Sequence, residues 1–182
     1  ADAKREGEPK RHTMTIGVLS SYISDYIFPS IIRGIEQELS INGYSLRLAA
    51  TENRVDNERM LLQRYLDNPV DGLIVEGTKT TLPNPNIGLY RELLRKGTPL
   101  VFLHASYPEL KDAVLVGMDD FEGARRAVEY LVQKGHTCIA GIFKSDDHQG
   151  LERYAGFNEG LLQAGLPISD GRVRWFTTED RD

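Results

Sequence analysis

Carboxylates, aromatic rings, an imidazole and cationic side chains recur along the 182-residue chain, most of them standing just after a short apolar run. Asp25, Tyr26 and Phe28 follow the first run, with Ser20, Ser21 and Tyr22 just before them, and Thr51, Glu52 and Asn53 follow the second. Glu76, Thr78 and Lys79 follow the third, His104 the fourth, Asp119 and Asp120 the fifth. Lys144, Ser145, Asp146 and Asp147 close the sixth, with Arg153 on the helix expected after them. Such a set suits a neutral, hydroxyl-rich ligand. Hydroxyl groups need paired donors and acceptors, which Asp, Glu, Lys and the forked guanidinium of Arg supply, while aromatic faces cover the C–H side of a sugar ring.

Every one of these residues also has a structural reading. Asp25 either caps the following helix or meets a ligand, and Asp119 and Asp120 read first as helix caps. Glu76, directly after Leu73, Ile74 and Val75, is a ligand contact or a salt-bridge partner of Lys79. His104 is a contact or a satisfied structural histidine. Lys144 and Arg153 are contacts or solvated charges, Arg153 lying beside the apolar stripe Leu151, Tyr154, Phe157 and Leu161. Tyr26 and Phe28 either pack as core or line a pocket.

Catalytic signatures are missing: there is no glycine-rich dinucleotide or phosphate loop, no nucleophile elbow and no zinc-protease motif. Asp146, Asp147 and His148 crowd one loop, which does not suit a metal site. The expectation is therefore a binding protein without cofactor or metal, not an enzyme. A small α/β enzyme acting on a sugar, with Asp119 or Glu76 as its base, is the remote alternative.

The elements that would position these groups alternate. Met14 to Leu19 reads as a strand buried on both faces, and Pro29 to Asn42 as a helix with Ile31, Ile35 and Leu39 on one face. Pro29 fits a first helical turn and Asn42 with Gly43 a helix stop. Strands follow at 45–50, 70–75, 100–103 and 113–116, separated by helices at about 57–66 and up to Lys96. Asp119 and Asp120 open a helix carrying Ala124, Ala127, Val128, Leu131 and Val132, stopped by Gly135. A strand at 138–143, a helix at about 150–164 and a strand at 173–176 complete the series. Strands alternating with helices imply an α/β fold with a doubly wound parallel sheet, whose ligands sit beyond the carboxyl ends of the strands.

Composition adds bounds. The chain is 40% hydrophobic and 27% charged, as in ordinary globular proteins, and its formal net charge of −5 argues against a direct grip on nucleic acid. The polar, basic start holds no apolar leader and no run reaches membrane-spanning length, so a cytoplasmic location is expected. Cys138, the one cysteine, lies in the apolar run ending at Phe143 and reads as a buried small hydrophobe. Two strands and one helix after Gly135 cannot cover both faces of a new sheet, so the second lobe is expected to be incomplete in this chain.

The residues also carry a resemblance. Thr15 to Leu19, Ile32 to Glu36, Asn42 to Tyr44, Asn57 to Arg59, Val70 to Val75, Lys134 to His136 and Arg153 to Phe157 resemble landmarks of LacI/GalR effector domains and of type I periplasmic sugar-binding proteins. Ser24 to Ser30, Glu76 with Thr78 and Lys79, Pro85 to Gly88 and Gly141 to Lys144 are similar to the arabinose-repressor branch. The resemblance covers nearly the whole chain from Thr13 onward.

It implies a linker at 1–13 from an N-terminal DNA-binding domain absent from this chain. It further implies an N-terminal lobe at 14–137 and the start of a C-terminal lobe at 138–182. It implies a homodimeric repressor that binds a sugar, L-arabinose, between its lobes and reaches operator DNA through the absent domain. By the same resemblance Asp25, Tyr26 and Phe28 match first-strand contacts, Asp119 the fifth-strand acid, and Arg153 the arginine that grips sugar hydroxyls. Glu76, His104 and Lys144 are extended from their strand-end positions. An exported sugar-binding protein of a transport system shares fold and ligand and is the competing reading.

Overall fold

Short β-branched runs separated by amphipathic segments fold as the alternation predicts. The computed structural model describes residues 12–111 and 113–181; most of the stretch read as a linker therefore lies outside the described residues. The strands are β1 (Thr15–Ser20), β2 (Ser45–Ala50), β3 (Gly72–Glu76), β4 (Leu100–Leu103), β5 (Val114–Val116), β6 (Gly141–Lys144) and β7 (Val173–Phe176). The helices are α1 (Phe28–Ile41), α2 (Val55–Asp67), α3 (Ile87–Arg95), α4 (Asp120–Gln133) and α5 (His148–Gln163).

β1 to β5 form one parallel sheet in the order β2-β1-β3-β4-β5, and β6 pairs in parallel with β7 in a second. In register, Val18 of β1 lies between Leu48 of β2 and Ile74 of β3. β1 is thus an interior strand of the first sheet, paired along both edges, and Val18, Leu19 and Ser20 are buried. Helix ends follow the residues that terminate them: Pro29 sits in the first turn of α1, and Gly43 and Gly135 take φ of 75° and 86°, which a side chain would resist.

Two apolar cores result. The first joins Leu19, Leu62, Tyr65, Leu73, Val75, Leu93 and an aromatic trio, Tyr90, Phe102 and Tyr107, whose ring centroids lie 5.6–5.9 Å apart. Burying each such side chain contributes about 1.5–3 kcal/mol. The second core joins Val128 of α4 to Ile139, Phe143, Phe157, Leu161 and Val173. α4, included above in the stretch 14–137, thus packs on the second sheet's side. Its backbone meets α5 so closely that a Cβ at Gly156 would lie 1.9 Å from the carbonyl oxygen of Phe121.

One expectation changes, the burial of Cys138, and several faces stay less covered than a parallel fold ordinarily leaves them. Cys138 is exposed, because the strand begins three residues later, at Gly141, and 138 lies in the coil before it. α1 buries no residue fully: Ile31, Ile35 and Leu39 share a face that is only half covered. β5 is exposed along its length, and Ile142 of β6 is exposed as well, although parallel strands are ordinarily covered on both faces.

Candidate functional site

Parallel pairing puts the carboxyl ends of β1 to β4 along one rim, and the backbone there is unusual. Glu52, Asn53, Lys79 and His104, just past strand ends, and Tyr26, in the loop leading to α1, have φ between 44° and 66° without being glycine. A non-glycine residue in this left-handed region costs about 1–3 kcal/mol and persists only where surrounding contacts hold it. At Asn53 and Lys79 those contacts are visible. The buried Asn53 amide oxygen accepts from the Lys79 backbone N–H at 2.9 Å.

The same rim meets the second unit, α4 through β7. The Asn53 amide donates to the Thr178 hydroxyl at 2.6 Å and to Asp147 at 3.2 Å. Thr81 donates to the Ser145 carbonyl at 2.8 Å, and Lys79 pairs with Glu179 and lies 4.0 Å from Asp146. Asp146 in turn accepts from the backbone N–H and hydroxyl of Thr178 at 3.0 and 2.6 Å. The two strand-end rims face each other through polar side chains.

Of the residues singled out from sequence, Asp25, Tyr26, Phe28 and Lys144 line one cavity of about 390 Å³ together with Tyr22, Phe176, Thr178 and Asp180. That volume falls within the roughly 300–1,000 Å³ of small-molecule pockets. Phe28, the first residue of α1, stacks obliquely on Tyr22, ring centroids 6.0 Å apart. Tyr26 is 98% exposed and does not pack as core. Lys144 pairs with Asp146 at 2.8 Å and with Asp147, and donates to the Thr178 hydroxyl at 2.9 Å. Burial pulls its pKa down, but the bonds to Asp146 and Asp147 outweigh this and the net shift is upward.

Glu76, the last residue of β3, is buried. Its carboxylate accepts from the Ser21 backbone N–H at 2.7 Å and the Ser20 hydroxyl at 3.3 Å, tying the end of β3 to that of β1, while Lys79 turns to Glu179 and Asp146. Burial pushes its pKa up, against the bonds from Ser21 and Ser20, and the Asp147 charge adds to the rise.

The remaining three lie together elsewhere. Asp119 caps α4, accepting from the Glu122 N–H at 2.8 Å, as its structural reading required. Asp119 and Arg153 line a separate, largely apolar cavity of about 510 Å³ between α4, β6 and α5. Arg153 donates through Nε to Asp120 Oδ1 at 2.8 Å, and its Nη2 pairs with the same oxygen at 2.8 Å. His104 stands close enough to feel this pair: burial lowers its pKa, Asp120 opposes and Arg153 reinforces the fall. Among the described residues no group of His, Cys, Asp and Glu is arranged to hold a metal ion.

Sequence reasoning named Asn53 only as a strand-end residue and passed over Thr80, Thr178 and Glu179, all four of which bond across the two units. The other three gave no signal, being short polar residues in loops.

The chain matches, over residues 13–182, the family described as periplasmic binding proteins and sugar binding domain of LacI family. It is 40% identical over 173 residues to the arabinose metabolism transcriptional repressor of Halalkalibacterium halodurans, covering 95% of this chain and 46% of that protein. The repressor of the same name from Geobacillus stearothermophilus is 40% identical over 169 residues, covering 93% and 46%. A putative ribose operon repressor from Burkholderia thailandensis superposes with a TM-score of 0.81 at 28% identity, over 90% of this chain and 61% of that one. The chain thus spans about half the length of the curated relatives it matches.

Proposed function

This chain belongs to the family of periplasmic binding proteins and LacI-type sugar-binding domains, and from that premise we propose that it is the sugar-sensing part of a bacterial transcription repressor. The effector is a neutral sugar, L-arabinose first, in keeping with the 40% identity to two arabinose metabolism transcriptional repressors. The observation that carries the reading is the cavity where Asp25, Tyr26 and Phe28 of the first unit face Lys144, Thr178 and Asp180 of the second. Its walls combine carboxylates, a hydroxyl, an ammonium and aromatic faces, the groups that polyhydroxylated rings require. Arg153, held by Asp120, and His104 supply a second polar group that a ligand reaching toward α4 would meet. The change of lobe falls before α4, whose apolar face serves the second core.

The mechanism is a coupling between two sites. Sugar held between the rims favours a closed arrangement of the two units over an open one. In a cytoplasmic homodimer that difference reaches the operator-binding domain carried elsewhere in the protein and lowers its DNA affinity. A coupling of about 1–3 kcal/mol is sufficient. Thermal-shift screening of the full-length protein against L-arabinose and its epimers tests the reading: L-arabinose raises the unfolding temperature most, and equal or absent shifts for all of them overturn it.

A further inference from the structure

Glu58, on the first turn of α2, is fully buried, yet no part of the sugar site touches it. Its Oε1 accepts from the hydroxyls of Tyr90 and Tyr107, each at 2.7 Å, and its Oε2 from the amides of Asn84 and Asn86, each at 2.8 Å. Four donors on one carboxylate satisfy a charge that would otherwise be costly to bury.

These donors share a purpose that their sequence positions hide. Tyr107, while donating to Glu58, accepts from the Thr78 backbone N–H at 2.7 Å, so the carboxylate holds the segment after β3 at its start. Asn84 holds the same segment at its end and is itself fixed by the Asn86 N–H, 2.7 Å from its oxygen. Between these two ties lie Lys79, Thr80 and Thr81, and all three reach the second unit. Thr80 does so most tellingly. Its hydroxyl accepts from the backbone N–H of His148, the first residue of α5, at 2.9 Å, and α5's own preceding residue, Asp147, gives no side-chain cap. A helix of one unit is capped by a residue of the other.

We infer that Glu58 is a positioning residue for lobe contact: one buried carboxylate ties both ends of the Thr78–Asn84 segment and so presents Thr80 and its neighbours to the second unit. Building on the sugar-sensing reading, it thereby sets how readily the lobes close on the effector. Nothing in this role requires Glu58 to touch the sugar.

Hydrogen exchange on the full-length protein, without sugar, tests this independently of the effector's identity. In Glu58→Gln, whose amide NH₂ would oppose two of the four donors, the peptide spanning the first turn of α5 exchanges about tenfold faster, while β1 and β3 keep their protection. Thr80→Val gives the reference rate for a lost cap. Tyr107→Phe, which leaves the Thr78 N–H without its acceptor, reproduces the change in a milder form and decides the matter if Glu58→Gln does not fold. Unchanged exchange at α5, or a rise of the same factor in β1 and β3, overturns the inference. Failure of every sugar to bind overturns the functional reading and leaves this one standing.

Discussion

The amide of Asn53 and the hydroxyl of Thr178, 2.6 Å apart, join the end of β2 in the first unit to the segment after β7 in the second. Asn53 is buried, holds a left-handed backbone at φ 52°, and also fixes the Lys79 N–H. Asn53→Ala removes these bonds and leaves the Lys79 donor unpaired, so it destabilises by about 1–3 kcal/mol. Denaturant titration reads the loss. Thr178→Val removes the hydroxyl that accepts from Asn53 and Lys144 and donates to Asp146, so it destabilises by a comparable amount, about 1–3 kcal/mol.

Two glycines in helices behave oppositely. Gly156→Ala drives a methyl into the Phe121 carbonyl and forces α4 and α5 apart, at a cost of about 1–3 kcal/mol or more. Gly34 in α1 has nothing within 4 Å of its Cβ position, so Gly34→Ala stabilises by about 0.5–1 kcal/mol. Thermal unfolding midpoints of the two variants move in opposite directions.

Asp71 and Glu76 give stability opposite pH dependence. The Thr13 N–H chiefly lowers the Asp71 pKa, against burial and with further help from the Thr13 hydroxyl and the Met14 N–H. Its contribution is therefore present above the unfolded pKa near 4 and is lost as pH falls through the lower folded value. Burial raises the pKa of Glu76, so the folded protein binds that proton more tightly than the unfolded chain. Ionised Glu76 costs stability above its raised pKa, and the cost disappears on acidification toward the unfolded value of about 4.3. Asp71→Asn removes the acid-side loss and Glu76→Gln the acid-side gain, both read from stability against pH.

Within the proposed sugar site, Phe28→Ala removes an aromatic wall and Lys144→Met a cation, each weakening sugar affinity by about tenfold, near 1.4 kcal/mol. Competition binding on the full-length protein measures the ratio. Leu94→Ala, on an exposed face of α3 far along the chain from these residues, serves as the comparison and leaves affinity unchanged.

The strands at 45–50, 100–103 and 173–176 were legible to the residue, because apolar runs bounded by Gly, Pro and polar residues leave little choice of limits. Cys138 was misread for the opposite reason: the apolar run containing it has no break at 140, and only the coordinates show that pairing with β7 begins at Gly141. Strand order and the contact of α4 with α5 depend on packing between distant segments, for which one sequence carries no signal. Asp119 was legible as a cap because side-chain capping is local. Glu58 was not, since a glutamate in the first turn of an amphipathic helix looks the same whether water or two tyrosines surround it.

The central claim is that a sugar lies between the strand-end rims of the two units. Isothermal titration of L-arabinose into the full-length protein and its Asp25→Asn variant tests it most directly. The account predicts saturable binding, one sugar per subunit, weakened about tenfold or more in the variant. Equal affinity in both proteins, or no binding of any aldopentose to the wild type, would contradict it.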